Sequence, residues 1–360
     1  LGLRQIGVDA HLYYASNTHV ASQPEWEAGE VDESKVGNES HPNLEAFKYT
    51  RPNWMHPILT ETGHSILFAR NLVSEFNGFD VIIGHWPFAR FCAILRNDGM
   101  ITKPYIIYEA GMLRQLDNPM HQERDALRGY MDAALIIYAN VDMLPLLQLF
   151  HLEKYAQYAP LPIDTSRYIP PKKRDNDHLV FLCPTRHSWA EKGNDMLIAA
   201  FAEYVKRNPA AELRLCGWGG EDLQGSKMMI YQRNLGGNVT WLPMLGKKHL
   251  IGEYQKADAV FDQFIYGATG STGPEAMSCE LPLVSHITPE FFMRHHGSIP
   301  PILDAFGPEQ IYEHMIKLED EGYRKQLGED GRKWVQEQQD ILVVARRQRD
   351  LCQTVIDAFK

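Results

Sequence analysis

The chain has 360 residues, enough for about two domains with separate cores. Its formal net charge of -10 argues against nucleic-acid binding as the main role, because phosphate neutralisation dominates that affinity. Apolar runs such as 133–139 fall well short of the roughly 20 residues a membrane-spanning helix needs, which leaves only peripheral membrane contact open.

The chain opens on the last turns of a helix (1–6), a stop at Gly7 and a strand at 9–14. A further strand and a Gly-rich turn are expected upstream of Leu1. Residues 15–65 are rich in Asn, Ser, Glu, Pro and His and lack periodicity, so they read as a long loop with short helices, placed as a lid. Alternation then sets in, with helices at 65–76, 87–97, 121–132 and 142–149. Strands fall between them at 80–84, 105–108, 134–138 and 155–158. Short apolar runs alternating with helical patterns predict a parallel, doubly wound α/β sheet. Proline and charge punctuate 160–175, which sets a domain boundary near 164–176. The second half repeats the pattern more cleanly, with strands at 179–183, 212–216, 239–242, 259–262 and 283–285. Helices are expected at 194–207, 228–235, 249–256, from 273 onward, 308–319, 321–337 and 341–359. The expected organisation is therefore an N-terminal domain over 1–165, a second over 166–340 and a closing helix over 341–360. The five cysteines, Cys92, Cys183, Cys216, Cys279 and Cys352, are scattered and include no CxxC pair. They point to reduced thiols in the cytoplasm rather than a disulfide frame or a zinc site.

In an open parallel sheet, ligands bind beyond the carboxyl ends of the strands. In the second half those ends lead into four loops. The first carries Arg186, His187 and Lys192; the second is Gly217-Trp218-Gly219-Gly220; the third is Pro243-Met244-Leu245-Gly246. The fourth, Gly267 to Ala276, opens a helix with the small residues Gly270, Ser271, Thr272 and Gly273. Two cations beside exposed backbone N–H groups suit a diphosphate. Glu275, one turn on, can accept hydroxyl hydrogen bonds, as from a ribose. Each residue also has a plainer reading. Ser271 and Thr272 can cap their helix, Gly217 can serve a tight turn, and His85 can be a satisfied histidine at the end of a strand. His187, His295 and His296 lack partners at metal-ligand spacing, and 295–297 reads as loop.

Arg186…Lys192-Gly193, then Leu213-Arg214-Leu215-Cys216-Gly217-Trp218-Gly219, then Pro274-Glu275-Ala276-Met277-Ser278-Cys279-Glu280-Leu281-Pro282-Leu283-Val284 together resemble the retaining glycosyltransferase family 4 group of GT-B fold. Weaker likeness lies in Asp80-Val81-Ile82-Ile83-Gly84-His85, in Pro160-Leu161-Pro162-Ile163-Asp164 with Tyr168 and Pro170, and in Arg332-Lys333-Trp334. The resemblance implies two Rossmann-like domains facing across a cleft, with the last helix crossing back to the first. It also implies glycosyl transfer from a nucleoside-diphosphate sugar to a hydroxyl acceptor with retention, without metal or other cofactor. In that scheme Arg186 and Lys192, with Glu109, are the catalytic groups. Gly217, Pro243, Met244, Leu245, Gly270, Ser271, Thr272 and Glu275 hold the donor, and His85 meets the acceptor. Two departures stand out: Gly267 lies where the family usually carries an acid, and Glu109-Ala110-Gly111 lies where it usually carries a His. A weakly active sugar-nucleotide-binding protein and a nucleotide-sugar epimerase of the same architecture are the other readings these residues leave open.

Overall fold

The computed structural model describes residues 1–15, 26–27, 29–38, 41–58, 66–85, 88–111, 113–114, 124–171 and 177–360. The chain divides into two compact units. One is Leu1–Ser16 with Asn53–Pro162 and Ile341–Lys360; the other is Asn17–Pro52 with Ile163–Asp340.

In the first unit, β1 (Leu12–Ala15) runs parallel to β2 (Met55–Ile58). Four further strands, β3 (Ile82–His85), β4 (Tyr105–Glu109), β5 (Leu135–Tyr138) and β6 (Ala156–Tyr158), form a parallel sheet in the order β6-β5-β4-β3. β4 is buried along its whole length, as a parallel strand covered on both faces must be. Successive side chains point to opposite faces. Tyr105 and Ile107 join the core shared with Phe91, Leu95 and Tyr130, while Ile106 and Tyr108 join Ile137 and Ala159. That second face is covered by the helix Ile341–Phe359 through Cys352 and Val355.

The second unit is built on a six-stranded parallel sheet. Its strands are β7 (Val180–Cys183), β8 (Glu212–Cys216), β9 (Val239–Leu242), β10 (Ala259–Phe261), β11 (Leu283–Ser285) and β12 (Leu303–Asp304), in the order β9-β8-β7-β10-β11-β12. The order reverses direction between β7 and β10, and ligands of open parallel sheets bind beyond the carboxyl ends of the strands at such a point. The helix Asn194–Arg207 presents Leu197, Ala200, Phe201 and Tyr204 to the sheet at helical spacing, against Phe181, Leu213 and Phe261. The two passages of chain at the edge of this unit are tied together. Ile163 and Asp340 form a parallel bridge, and Thr165 Oγ1 donates to Asp340 Oδ2 at 2.6 Å.

Three sequence expectations change. The described part of the 15–65 segment carries short strand pairs beside its short helices at Glu33–Lys35 and Leu44–Ala46. Glu30–Val31 pairs with Phe47–Lys48 and Gly37–Asn38 with His41–Pro42, both antiparallel. Trp26, Val31, Val36 and Ala46 bury themselves against Phe47, Trp218 and Met244, so this segment belongs to the second unit rather than the first. His295 and His296 lie not in a loop but in the last turn of the helix Pro289–His296, which starts on a proline and stops at Gly297 in the left-handed region (φ 69). The helix expected at 228–235 is Leu223–Gln232. Among the described residues no helix is long and apolar enough to cross a membrane. All five cysteines are buried thiols.

Candidate functional site

The loops at the carboxyl edge of the second sheet are interlocked. After β7, Arg186 points outward and pairs with Glu191; both side chains are about half exposed, at 48% and 41%. An ion pair this open contributes little to stability, so its guanidinium can be drawn to a stronger anion at small cost. His187, by contrast, is completely buried. Trp189 Nε1 donates to Ser226 Oγ at 3.0 Å, His187 Nδ1 lies 2.8 Å from the same oxygen, and His187 Nε2 lies 3.0 Å from the Cys216 carbonyl. A carbonyl only accepts, so Nε2 carries the proton and Nδ1 accepts from Ser226. Burial pushes this imidazole down to about 4. The β8 loop closes tightly over it: Gly220 sits at φ +87, and a Cβ there would fall 2.0 Å from the His187 carbonyl oxygen.

Lys192 ends the short helix Trp189–Lys192, and its carbonyl accepts from Phe264 N at 3.0 Å, which joins the β7 loop to the β10 loop. The β10 loop is organised by Gln263. Its Nε2 donates to the carbonyls of Ala268 (2.7 Å) and His286 (3.0 Å), and its Oε1 accepts from Tyr266 N at 2.6 Å. Asp262, just before it, is 1% exposed, and its Oδ2 has no hydrogen-bond partner. Burial raises its carboxyl, with the Lys192 charge acting against that rise. Gly270 stands on open space, whereas Gly273 is packed against Thr269 and Leu283. Ser271 occupies the cap position of the helix Thr272–Ser278 but makes no side-chain capping bond.

Glu275 is buried in the first turn of that helix. Lys247 Nζ donates to its Oε1 at 2.5 Å and the Tyr254 hydroxyl to its Oε2 at 3.0 Å. Burial alone would lower the Lys247 ammonium, but the Glu275 and Glu27 carboxylates outweigh it and raise it. Lys247 starts the helix Lys247–Lys256. A cation is disfavoured there by the helix dipole, and that misplacement is the one sequence signal that could have marked it. On the β9 loop, Met244 is half-buried in the small core with Trp26 and Trp218, and Pro243 is exposed.

Residues 164–334 match the sequence pattern described as glycosyl transferases group 1. This segment is a glycosyl transferases group 1 domain. It takes in nearly all of the Ile163–Asp340 part of the second unit, though not Asn17–Pro52, and every loop just described. No curated protein matches the chain in sequence. Its structure is similar to sucrose-phosphate synthase from Thermosynechococcus elongatus at 15% identity and TM-score 0.68, covering 99% of this chain and 91% of the other. It is also similar to the HepE protein of Anabaena in complex with UDP and glucose, at 14% identity and TM-score 0.63, covering 83% and 84%. A glycosyltransferase from Rickettsia africae gives 12% identity and TM-score 0.61, covering 84% and 85%. The fold is thus that of the GT-B glycosyltransferases, with mixed α/β units on parallel sheets.

The group 1 domain carries Arg186, Lys192, Gly217, Pro243, Met244, Leu245, Gly270, Ser271, Thr272 and Glu275 on one sheet edge. His85 and Glu109 lie in the first unit instead, at the ends of adjacent strands. His85 stands beside the Tyr108 ring, with centroids 4.8 Å apart. Burial of the ring pushes its imidazole down to about 4, although the residue keeps an exposed surface and water screens part of that effect. Glu109 has no exposed surface. Its Oε1 accepts from Gly111 N (2.6 Å) and Leu113 N (3.2 Å), and its Oε2 accepts from the Tyr130 hydroxyl. In this structure Glu109 therefore braces Gly111 and Leu113 from inside the core.

Proposed function

We propose that this glycosyltransferase moves a sugar from a nucleoside-diphosphate donor to a hydroxyl acceptor, with retention at the anomeric carbon. The observation that carries the reading is the gathering of Arg186, Lys192, the open Gly270 turn and the buried Glu275 on one sheet edge of the group 1 domain. The cations and the N–H groups at 270–273 stabilise charge as it develops on the leaving diphosphate. Glu275 takes a ribose hydroxyl, the 243–245 loop borders the base, and His85 lies on the acceptor side. Charge compensation comes from side chains, so this reading calls for no metal ion. The buried thiols suit a reducing compartment, the cytoplasm.

HepE of Anabaena has been solved with UDP-glucose, which makes that donor the first to try. The experiment is turnover of UDP-, GDP- and ADP-sugars against a panel of hydroxyl acceptors, with the product's anomeric configuration read by NMR coupling constants. A retained configuration, and turnover unchanged by a chelator, is the expected result. An inverted product or a chelator-abolished rate would overturn those two parts of the mechanism.

A further inference from the structure

Lys247 and Glu275 form a buried ion pair in the second unit. Its side chains are 14% and 4% exposed, and they join the start of the helix that follows the β9 loop to the first turn of the helix that follows the β10 loop. A carboxylate offers about four lone-pair positions. Lys247 and Tyr254 fill two of them, and the Tyr168 hydroxyl is also at this carboxylate. What remains accommodates one further donor, not a pair of them. A hydroxyl that donates to Oε1 at about 2.8 Å can place its own oxygen within about 3 Å of a nitrogen already beside Oε1.

We propose that Lys247 is a specificity-determining residue of the donor site. It donates to the oxygen of the one ribose hydroxyl whose proton Glu275 accepts, so the pair reads that hydroxyl as donor and acceptor at once. This rests on the donor reading given above. A deoxyribose nucleotide forgoes the hydrogen bonds of that hydroxyl to both charged groups, each of the stronger, charge-assisted kind.

The test uses the full chain and calorimetric titration. Uridine, guanosine and adenosine diphosphates are compared first, then the 2′-deoxy and 3′-deoxy forms of whichever binds most tightly. The parent protein is expected to prefer the ribose form over one of the two deoxy forms by about 10–100-fold. Lys247→Met should reduce that preference to within about threefold, and Lys247→Arg should restore much of it. Lys247→Ala, which admits water to Glu275, serves if the Met variant does not fold. Full preference retained in the folded Met or Ala variant would overturn the role of Lys247 and leave the donor site standing. A parent that binds a nucleoside diphosphate but ignores both hydroxyls would overturn the hydroxyl reading by Lys247 and Glu275. A parent that binds none of the three would remove the donor site itself.

Discussion

Gly267 is packed so closely that a side chain there must displace a neighbour. A Cβ at 267 would lie 2.0 Å from Thr288 Oγ1, 2.9 Å from Thr288 Cβ and 3.2 Å from Thr288 N. Rotating Thr288 about χ1 relieves the first overlap but not the second, because the Cβ is fixed to the backbone. Carbon atoms need about 3.5 Å, so the 267 and 288 segments must part by ~0.6 Å. Gln263 bridges the same two loops through Ala268 O and His286 O, the latter at 3.0 Å. That separation would carry the longer bond to ~3.6 Å, past hydrogen-bonding range. One lost bond is worth about 1 kcal/mol and overpacking about 1–3 kcal/mol, which gives about 2–4 kcal/mol for Gly267→Glu. At 2–4 °C per kcal/mol for a domain of 150–250 residues, the second unit should melt roughly 5–15 °C lower. The assay is scanning calorimetry of the full chain, with transfer rate measured alongside. Adding Thr288→Gly, which removes both clashing atoms, should recover most of the loss. A Gly267→Glu protein that melts within about 1 °C of the parent would refute the packing argument.

Arg186→Ala and Lys192→Ala should each lower transfer by about 10²–10³-fold, mainly in kcat, because charge on the diphosphate grows toward the transition state. Steady-state kinetics with the best donor reads this, and unchanged kinetics in both would place the diphosphate elsewhere. Glu109→Gln should cost about 1–2 kcal/mol of stability, since its carboxylate holds two backbone N–H groups and the Tyr130 hydroxyl, while kcat per folded molecule stays within about threefold. A large fall in kcat with an unchanged melting temperature would return Glu109 to the catalytic groups. His187 is held neutral, down at about 4 from an ordinary 6.5. The folded state therefore binds its proton less readily than the unfolded state. Its contribution is fully present above pH 6.5, is lost as pH falls from 6.5 to about 4, and is flat below. The span is worth about 3 kcal/mol. Urea unfolding of the parent and of His187→Gln across that range should show this pH slope in the parent alone.

The β/α alternation and the strand-end loops of the second half were legible because parallel strands buried on both faces read as apolar runs, as in Phe181-Leu182-Cys183 and Ala259-Val260-Phe261. The placement of Arg186, Lys192 and Glu275 after strands of this sheet was legible because their loops follow such runs directly. Lys247 and Gln263 were not. Their partners, Glu275 and the carbonyls of Ala268 and His286, come from other loops or depend on a loop conformation that no local pattern encodes. The 26–48 segment was hidden for the same reason: Trp26 and Val31 find their partners in Trp218 and Met244, far along the chain. The partners of Glu109 were hidden too, because the sequence places it at a strand end but does not show that Gly111 N, Leu113 N and the Tyr130 hydroxyl reach its carboxylate.

The proposed function requires that the second unit hold a nucleoside diphosphate between Arg186, Lys192 and Glu275. Calorimetric titration of the parent and of Glu275→Gln with UDP, GDP and ADP tests it most directly. One of the three should bind the parent with a measurable heat, and that affinity should fall about tenfold or more in the variant. No binding of any of the three to a folded parent, or equal binding to the variant, would contradict it.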